Sequence, residues 1–453
     1  MSESINSFLK YISLNELDYW DVKRYTNDDL LSFNNAVLLR NILVYDKESI
    51  SKDLMRQNQW QIISKINFSG KLFLRDYNEI DTYKGSLYKV PSNSIIYSKI
   101  NVRHGCVYYH EKDKTPFAVS SEYPIFLFDD KKINGYYLKL ILRSDSFKKL
   151  LNTKTSGISK ARVKVDEFLN IKIPLPSLKE QNELLEKYNT KILLADKQET
   201  EAKEMEESIE KYLFTELGIE KIEEKKKNSG LKFIDSKDIN RWDTLFLIGS
   251  IPTLKSKYPI VKFSKIITYF NINKDKESLR INSKNYPNKD FTYIGMEDIE
   301  KETGNLLLIN NVKGIEIKSQ TIKVPSNYLL FGKLRPYLNK YWINELDNDN
   351  IICSSEFFVF DIDKKINKLF FKYCLSSNFI QMQITDKTSG ARMPRINEAT
   401  FMSLDTPIPP IEIQNNIAIE IRKRKNEIKL LKINAIQNRE NAIKEFEEEI
   451  FTV

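Results

Sequence analysis

The feature that most constrains the fold of this chain of 453 residues is an internal repeat. The segments 154–181 and 387–414 are identical at nine of 28 positions, at a constant offset of 233 residues. The segments 130–134 and 363–367, both Asp-Lys-Lys-Ile-Asn, keep the same offset. Because matches in the same order and spacing do not follow from composition alone, the sequence predicts two copies of one structural unit.

Each copy ends in a segment typical of a long helix. A Pro-x-Pro sequence stands at 174–176 and at 407–409, where Pro410 extends it. About 40 residues without Gly or Pro then follow, ending at Leu217 and near Phe451. Proline just before a long run of Glu, Lys, Leu, Ile and Ala is a helix-start signal. A helix of that length extends over roughly 60 Å.

Apolar residues recur in both segments at spacings of three and four. Each segment is too polar to be buried all round, which favours an intramolecular antiparallel coiled coil over two separate helices packed on their own domains. The predicted seam positions are Leu185, Tyr188, Ile192, Ala195, Ala202 and Ile209 in the first segment and Ile421, Ile428, Leu431, Ala435 and Ala442 in the second.

Short β-branched and aromatic runs alternate with helical patterns in both copies, which predicts an α/β (α+β) fold of two tandem pseudo-symmetric domains. The Lys- and Glu-rich stretch after Gly218 is typical of a solvated linker. The predicted segments are an N-terminal domain at 1–176, a helix at 177–217, a linker at 218–230, a second domain at 231–410 and a helix at 411–453.

The positive charge is concentrated in the two domains. The chain carries a net charge of +9. The stretch 177–227 has a net charge of −4 and the stretch 411–453 is neutral, so the remaining sequence carries +13. This distribution favours a polyanionic partner, and a phosphate backbone fits it.

Four local patterns supply candidate DNA contacts. The two Thr-Ser-Gly loops, Thr155–Arg162 and Thr388–Arg395, combine hydroxyls and cations that suit phosphate. The same loops could instead be structural turns whose arginines cap carbonyls. The two basic stretches that follow the central strands suit base contacts, or alternatively are solubilising charges on an exposed edge. The candidates are Ser156, Lys160, Arg162, Ser389, Arg392 and Arg395 in the loops, and Lys99, Arg103, Lys333, Arg335, Tyr337 and Lys340 in the basic stretches.

Motifs for catalysis are absent from the sequence. There is no GxxxxGK[ST] phosphate loop, no HExxH and no glycine-rich nucleotide turn, so we expect no catalytic residue and no metal site. His104 and His110 are predicted to be surface residues. Glu122 and Glu356, in matched Ser-Ser-Glu triplets, are predicted to be hydrogen-bonded structural carboxylates rather than catalytic ones.

The composition also predicts the compartment. The three cysteines form no CxxC pair, which disfavours a disulfide framework and a zinc finger. The sequence shows neither a secretion signal nor an apolar stretch long enough for a membrane span, so we expect a cytoplasmic protein without membrane contact.

These features together resemble the specificity subunit of type I restriction–modification enzymes. The motifs that carry the resemblance are 173–181 (IPLPSLKEQ), its echo 407–414 (PIPPIEIQ), the Thr-Ser-Gly loops and 331–337 (FGKLRPY). The likeness extends over essentially the whole chain. The first basic stretch departs from its counterpart, because Asn101 stands where the second copy has Arg335, so a base contact of Arg335 cannot be transferred.

The resemblance implies a non-catalytic, DNA-binding subunit. Its two domains would be target-recognition domains, each reading half of a split target in double-stranded DNA. The helices after 178 and 411 would be the spacer and would dock two methyltransferase subunits. S-adenosylmethionine, and ATP with Mg²⁺, would be bound by the methyltransferase and restriction subunits, and no cofactor is expected in this chain.

Three alternatives stay open on the sequence. The chain could be the specificity subunit of a two-subunit type II methyltransferase–nuclease, which uses the same kind of split target. It could be a self-contained DNA-modifying enzyme. It could also be a coiled-coil scaffold that binds no nucleic acid, which salt-dependent DNA binding would contradict.

Overall fold

The computed structural model describes residues 35–154, 162–219, 254–269, 279–318, 320–346, 348, 350–387 and 393–451. These residues belong to two compact units. We call them the N-terminal unit, within Met1–Glu199 and Lys432–Val453, and the C-terminal unit, within Thr200–Leu431. None of the described helices is both long enough and apolar enough to cross a membrane.

The N-terminal unit mixes short strands and helices. Its central sheet is antiparallel in the order β2-β9-β6-β7, and β1 pairs with β10, β3 with β4 and β5 with β8. The strands are β1 (Ala36–Leu38), β2 (Leu43–Asp46), β3 (Ile63–Ile66), β4 (Leu72–Leu74), β5 (Tyr88–Val90), β6 (Ser94–Tyr97), β7 (Val107–His110), β8 (Phe117–Val119), β9 (Ile125–Phe128) and β10 (Lys172–Pro174). The helices are α1 (Lys52–Gln57), α2 (Gly135–Arg143), α3 (Asp145–Lys154), α4 (Val165–Leu169) and the first half of α5 (Leu178–Leu217).

The C-terminal unit repeats this plan. A sheet in the order β12-β20-β17-β18 corresponds to the central sheet of the first copy, and β11 pairs with β21; a second sheet has the order β13-β16-β19-β14-β15. The strands are β11 (Ile260–Lys262), β12 (Ile267–Tyr269), β13 (Arg280–Ile281), β14 (Asp290–Ile294), β15 (Asn310–Lys313), β16 (Thr321–Lys323), β17 (Leu329–Gly332), β18 (Tyr341–Ile343), β19 (Ile351–Ser354), β20 (Phe357–Ile362) and β21 (Asp405–Pro407). The helices are α6 (Lys368–Ser376), α7 (Asn378–Lys387), α8 (Glu398–Met402) and the first half of α9 (Ile411–Phe451).

The apolar positions of matched helices form the core of each unit. In α2 the apolar residues Tyr137, Leu138, Ile141 and Leu142 are fully buried. They pack beneath the central sheet with Phe126 and Phe168. In α6 the same is true of Phe370, Phe371, Cys374 and Leu375. The fold prediction of two α/β domains is confirmed, and the two long helices end at Leu217 and Phe451, where the sequence predicted them to end.

A buried glutamine fastens the start of each long helix to its domain. The Oε1 atom of Gln181 accepts the backbone N–H of Asn134 at 2.8 Å, and its Nε2 donates to the carbonyl of Pro176 at 2.8 Å. Gln414 makes the matched contacts with Asn367 (2.9 Å) and Pro409 (2.8 Å). Asn134 and Asn367 also cap the N-termini of α2 and α6. The hydrogen bond from asparagine to glutamine therefore joins the repeated Asp-Lys-Lys-Ile-Asn motif to the repeated start of the long helix.

The two long helices pack antiparallel in each unit. In the N-terminal unit, Lys187 pairs with Glu449 at 2.8 Å and Arg439 with Asp196 at 2.7 Å. Residue numbers therefore increase along α5 as those of its contacts in α9 decrease. In the C-terminal unit, Arg424 donates to the hydroxyl of Ser208 at 3.2 Å. The predicted antiparallel coiled coil is therefore present.

Candidate nucleic-acid interface

A lysine after the central strand forms the same junction in both units. The N–H of Lys99 donates to the carbonyl of Glu122 at 3.0 Å, and its ammonium donates to the carbonyl of Ser121 at 2.7 Å. The matched Lys333 donates to Glu356 at 2.8 Å and to Ser355 at 2.8 Å. Both predicted DNA-binding lysines are thus engaged inside their own domain.

The environment of Lys333 supports that structural role. Its Nζ lies 4.8 Å from the ring centroid of Phe358, a cation–π contact. Burial lowers the pKa of Lys333, because desolvation disfavours the charged form. Its backbone carbonyl accepts the N–H of Ile396 at 3.1 Å, which ties the junction to the segment that leads into α8.

The Ser-Ser-Glu carboxylates pair with the arginines at the ends of the Thr-Ser-Gly loops. Arg395 donates to both oxygens of Glu356, each at 3.1 Å, and this hydrogen bonding raises the pKa of Arg395. Arg162 donates to Glu122 at 3.3 Å. The prediction of hydrogen-bonded carboxylates is confirmed, and the arginines contact carboxylates rather than carbonyls. All four side chains lie at the surface or close to it.

The basic stretch of the C-terminal unit exposes Arg335 and Tyr337. Arg335 precedes the Pro336–Leu338 turn with φ 47° and ψ 58°, a left-handed conformation uncommon for a residue with a side chain. Its N–H donates to the carbonyl of Pro394 at 2.7 Å, which holds it beside Arg395. Lys340 points elsewhere and donates to the carbonyl of Met296 at 2.6 Å. Arg335, Tyr337 and Arg395 therefore form an exposed cationic and aromatic surface.

The matched turn of the N-terminal unit is Val102–His104. Asn101 occupies the place of Arg335 and has a φ of −115°, so it lacks the left-handed conformation. Arg103 is half-buried in this turn. The predicted loop contacts Ser156, Lys160, Ser389 and Arg392 lie outside the described residues.

The predicted seam positions are buried or half-buried. In the N-terminal unit Leu185, Ala195, Ala435 and Ala442 are buried, and Tyr188 and Ile192 are half-buried. In the C-terminal unit Ala202, Ile421 and Ile428 are buried, and Ile209 and Leu431 are half-buried. Polar residues complete the seam, since Asn438 donates to Gln198 at 2.9 Å. These positions hold the helices together and leave the outer helix faces for other contacts.

The predicted surface position of His110 is wrong. The side chain is 4% exposed, because it lies on β7 with its ring 5.0 Å from that of Phe117, whereas His104 is exposed. Burial lowers the pKa of His110 and favours the neutral imidazole. Among the described residues no cluster of His, Cys, Asp and Glu could hold a metal ion, and the three cysteines are free and buried.

An exposed basic hairpin in the N-terminal unit was missed by the sequence reasoning. Strands β3 and β4 carry the exposed side chains of Lys65 and Phe73, and the turn between them carries those of Phe68 and Lys71. The signal was available in the sequence, because residues 61–75 contain three cations and no acid. It was overlooked because this stretch has no close match in the second copy.

Comparison with known proteins agrees with this architecture. Residues 46–205 and 258–438 match the family described as type I restriction modification DNA specificity domain. The chain is similar to the type I restriction enzyme EcoDI specificity subunit of Escherichia coli, with 23% identity over 64% of this chain and 63% of that protein. It is also similar to the MjaVIII specificity subunit of Methanocaldococcus jannaschii, with 27% identity over 34% of each. The chain thus matches less than two thirds of the length of either relative.

A solved structure shares the fold. It comes from a study of complex assembly and conformational transition of the type I R-M system, and aligns with a TM-score of 0.56 and 12% identity, covering 92% of this chain and 96% of the other. At that identity the likeness concerns the fold alone. The family match extends over both units and most of both long helices. The chain belongs to the type I restriction modification DNA specificity domain family.

Proposed function

We propose that this chain is the sequence-reading subunit of a type I restriction–modification complex, with one half of a split duplex target bound by each domain. The observation that carries the proposal is the duplicated junction of Lys99, Glu122 and Arg162 with Lys333, Glu356 and Arg395. Two copies of one scaffold with different exposed residues suit two different half-sites. The family assignment supports the same conclusion.

The surfaces supply different parts of this function. Arg335 and Tyr337 are exposed next to a cationic loop end, where guanidinium contacts with phosphates or guanine are feasible. The net charge of +13 in the domain sequences favours association with the phosphate backbone. We expect the domains to bind DNA without catalysing its modification.

The outer faces of the helices suit protein partners. Leu193 and Leu194 on α5, and Ile433, Ile436 and Ile443 on α9, are exposed in the N-terminal unit. Exposed apolar side chains of this kind mark protein-interaction surfaces. We infer that two methyltransferase subunits dock here and supply S-adenosylmethionine, and that a restriction subunit supplies the ATP- and Mg²⁺-dependent activity.

The experiment that tests the proposal is co-expression of the chain with its methyltransferase subunit, followed by genome-wide mapping of methylated positions. We expect a split target whose half-sites are about one helical turn, or ~10 bp, apart. Inserting four residues into both α5 and α9 should change the gap and leave the half-site sequences intact. Methylation at an uninterrupted target, or DNA modification by the chain alone, would overturn the proposal.

A further inference from the structure

The hairpin of β3 and β4 is built to expose positive charge. Lys65 lies directly across from Phe73 in the β3–β4 register, with its Nζ 5.2 Å from the ring centroid. The Nζ of Lys71 lies 5.7 Å from the same ring. Neither lysine forms a salt bridge with an acid in the part of the chain that the structure describes. Their charge is therefore available to an external anion.

The tip of the hairpin has a defined conformation. The Oδ1 atom of Asn67 accepts the N–H of Lys71 at 2.8 Å and the hydroxyl of Ser69 at 2.7 Å. Gly70 has a φ of 75°, which glycine adopts without strain. A Cβ atom at Gly70 would lie 2.6 Å from the guanidinium carbon of Arg143, so the side chain of Arg143 lies directly against the tip.

Arg143, at the end of α2, connects the tip to the predicted DNA-binding turn. It donates to the carbonyl of Phe68 at 3.4 Å and to the carbonyl of Gly105 at 3.2 Å. The ring of Phe68, which is 65% exposed, lies 5.1 Å from the ring of His104. The hairpin and the Val102–His104 turn therefore form one continuous surface that carries Lys65, Lys71 and Arg103.

The second copy has a different inserted segment, residues 295–309, at the place in the fold where the first copy has the β3–β4 hairpin; we call these two segments the excursions. Ile62 pairs in parallel with Ala118, and Tyr293 pairs in parallel with Ile352, so the chain leaves matched strands at matched points. The excursion at 295–309 also docks on the turn of its own domain, since Lys340 donates to the carbonyl of Met296. Its exposed residues, however, include the acids Glu297 and Glu302 and the apolar Leu307, Leu308 and Ile309.

This contrast separates scaffold from variable surface. Three contacts are the same in both units: the hydrogen bonds of Gln181 and Gln414, which we call the glutamine clamp, the junction of Lys99 and Lys333, and the Glu–Arg pair. The two excursions, in contrast, share neither charge nor sequence. If the two domains read different half-sites, the difference must come from exposed residues that the copies do not share. The excursions satisfy that condition and lie beside the basic turns.

We propose that the β3–β4 hairpin is the element of the N-terminal domain that contacts duplex DNA, with Lys65 and Lys71 at phosphates and Phe68 at base edges. This inference rests on the proposed function. A two-stranded hairpin fits a major groove about 12 Å wide, and an apolar ring there distinguishes thymine by its methyl group. The acid-free sequence of residues 61–75 avoids repulsion from the phosphates.

The charge test compares two double variants that remove the same number of charges. In the methyltransferase complex, the log of the affinity falls with the log of the salt concentration. K65Q/K71Q should make this slope about 2 less steep, because each phosphate contact contributes about 0.9. The matched control K84Q/K172Q removes two exposed lysines of the same unit elsewhere, and should keep the wild-type slope. K65R/K71R retains the charge and should restore the slope.

The sequence test uses a randomised pool of duplex DNA and the variant F68A. Selection by F68A should relax the base preference at one or more positions of a single half-site and leave the other half-site unchanged. Wild-type complex that selects no split target would refute the proposed function itself. If the wild-type complex selects a split target but the hairpin variants bind DNA in the same way as K84Q/K172Q, the hairpin inference alone is refuted. If the hairpin variants release a protein subunit from the complex while the salt slope stays unchanged, the hairpin inference is equally refuted.

Discussion

Replacing Gln414 by Leu should destabilise the C-terminal unit, because the substitution removes two hydrogen bonds of a buried amide. The side chain is 1% exposed and makes two contacts, accepting from the N–H of Asn367 and donating to the carbonyl of Pro409. Leucine keeps a similar volume but leaves both groups without a partner. With a cost of about 1–3 kcal/mol for each of the two unsatisfied buried groups, the loss should be roughly 2–6 kcal/mol.

The matched control is Asn415→Ala, one residue further along α9. Asn415 also contacts Asn367, accepting from its side-chain amide at 2.7 Å, but this bond is exposed to solvent. Because water replaces an exposed partner, we expect a loss below about 1 kcal/mol. Urea unfolding of the full chain followed by hydrogen exchange at the Asn367 amide measures both variants. Equal effects of the two substitutions would refute the clamp as an energetic contact.

Two further predictions concern other contacts. Exchanging the charges in E356R/R395E should restore, at least in part, the base preference of the C-terminal domain that R395E alone removes, while the urea midpoint changes little because the pair is exposed; target selection in all three variants checks this. Burial lowers the folded pKa of His110, so its contribution to stability is present above its unfolded pKa of about 6.5 and is lost as the pH falls. H110F should therefore lose less thermal stability between pH 7 and pH 5 than the wild type, and parallel melting curves would contradict this reasoning.

Much of the architecture could be predicted from the sequence because each pattern occurs in both copies of the repeat. The long helices, the antiparallel pairing and the core faces of α2 and α6 each depend on local periodicity, which one copy corroborates in the other. The buried position of His110 could not be predicted, because it depends on a tertiary contact with the ring of Phe117 on β8. The pairing of Glu122 with Arg162 likewise joins residues that are 40 positions apart.

One tertiary contact left a sequence signal that is visible only with the structure. The repeated Asp-Lys-Lys-Ile-Asn motif ends at Asn134 and Asn367, and the repeated Pro-x-Pro segments lead to Gln181 and Gln414. These motifs keep one offset because the asparagine and the glutamine of each copy are hydrogen-bonded to each other. An insertion between them in one copy would be tolerated only where it loops out of this contact.

The same reasoning explains why the sequence indicated the shared scaffold more readily than the proposed DNA-reading surface. A duplication reveals what both copies retain, and retained residues such as Lys99 and Lys333 are bonded within their domains. Discrimination between half-sites requires the copies to differ, so a search by internal identity passes over the hairpin of β3 and β4. In a duplicated DNA-binding protein, exposed residues without a counterpart in the other copy are therefore better candidates for sequence discrimination than the matched ones.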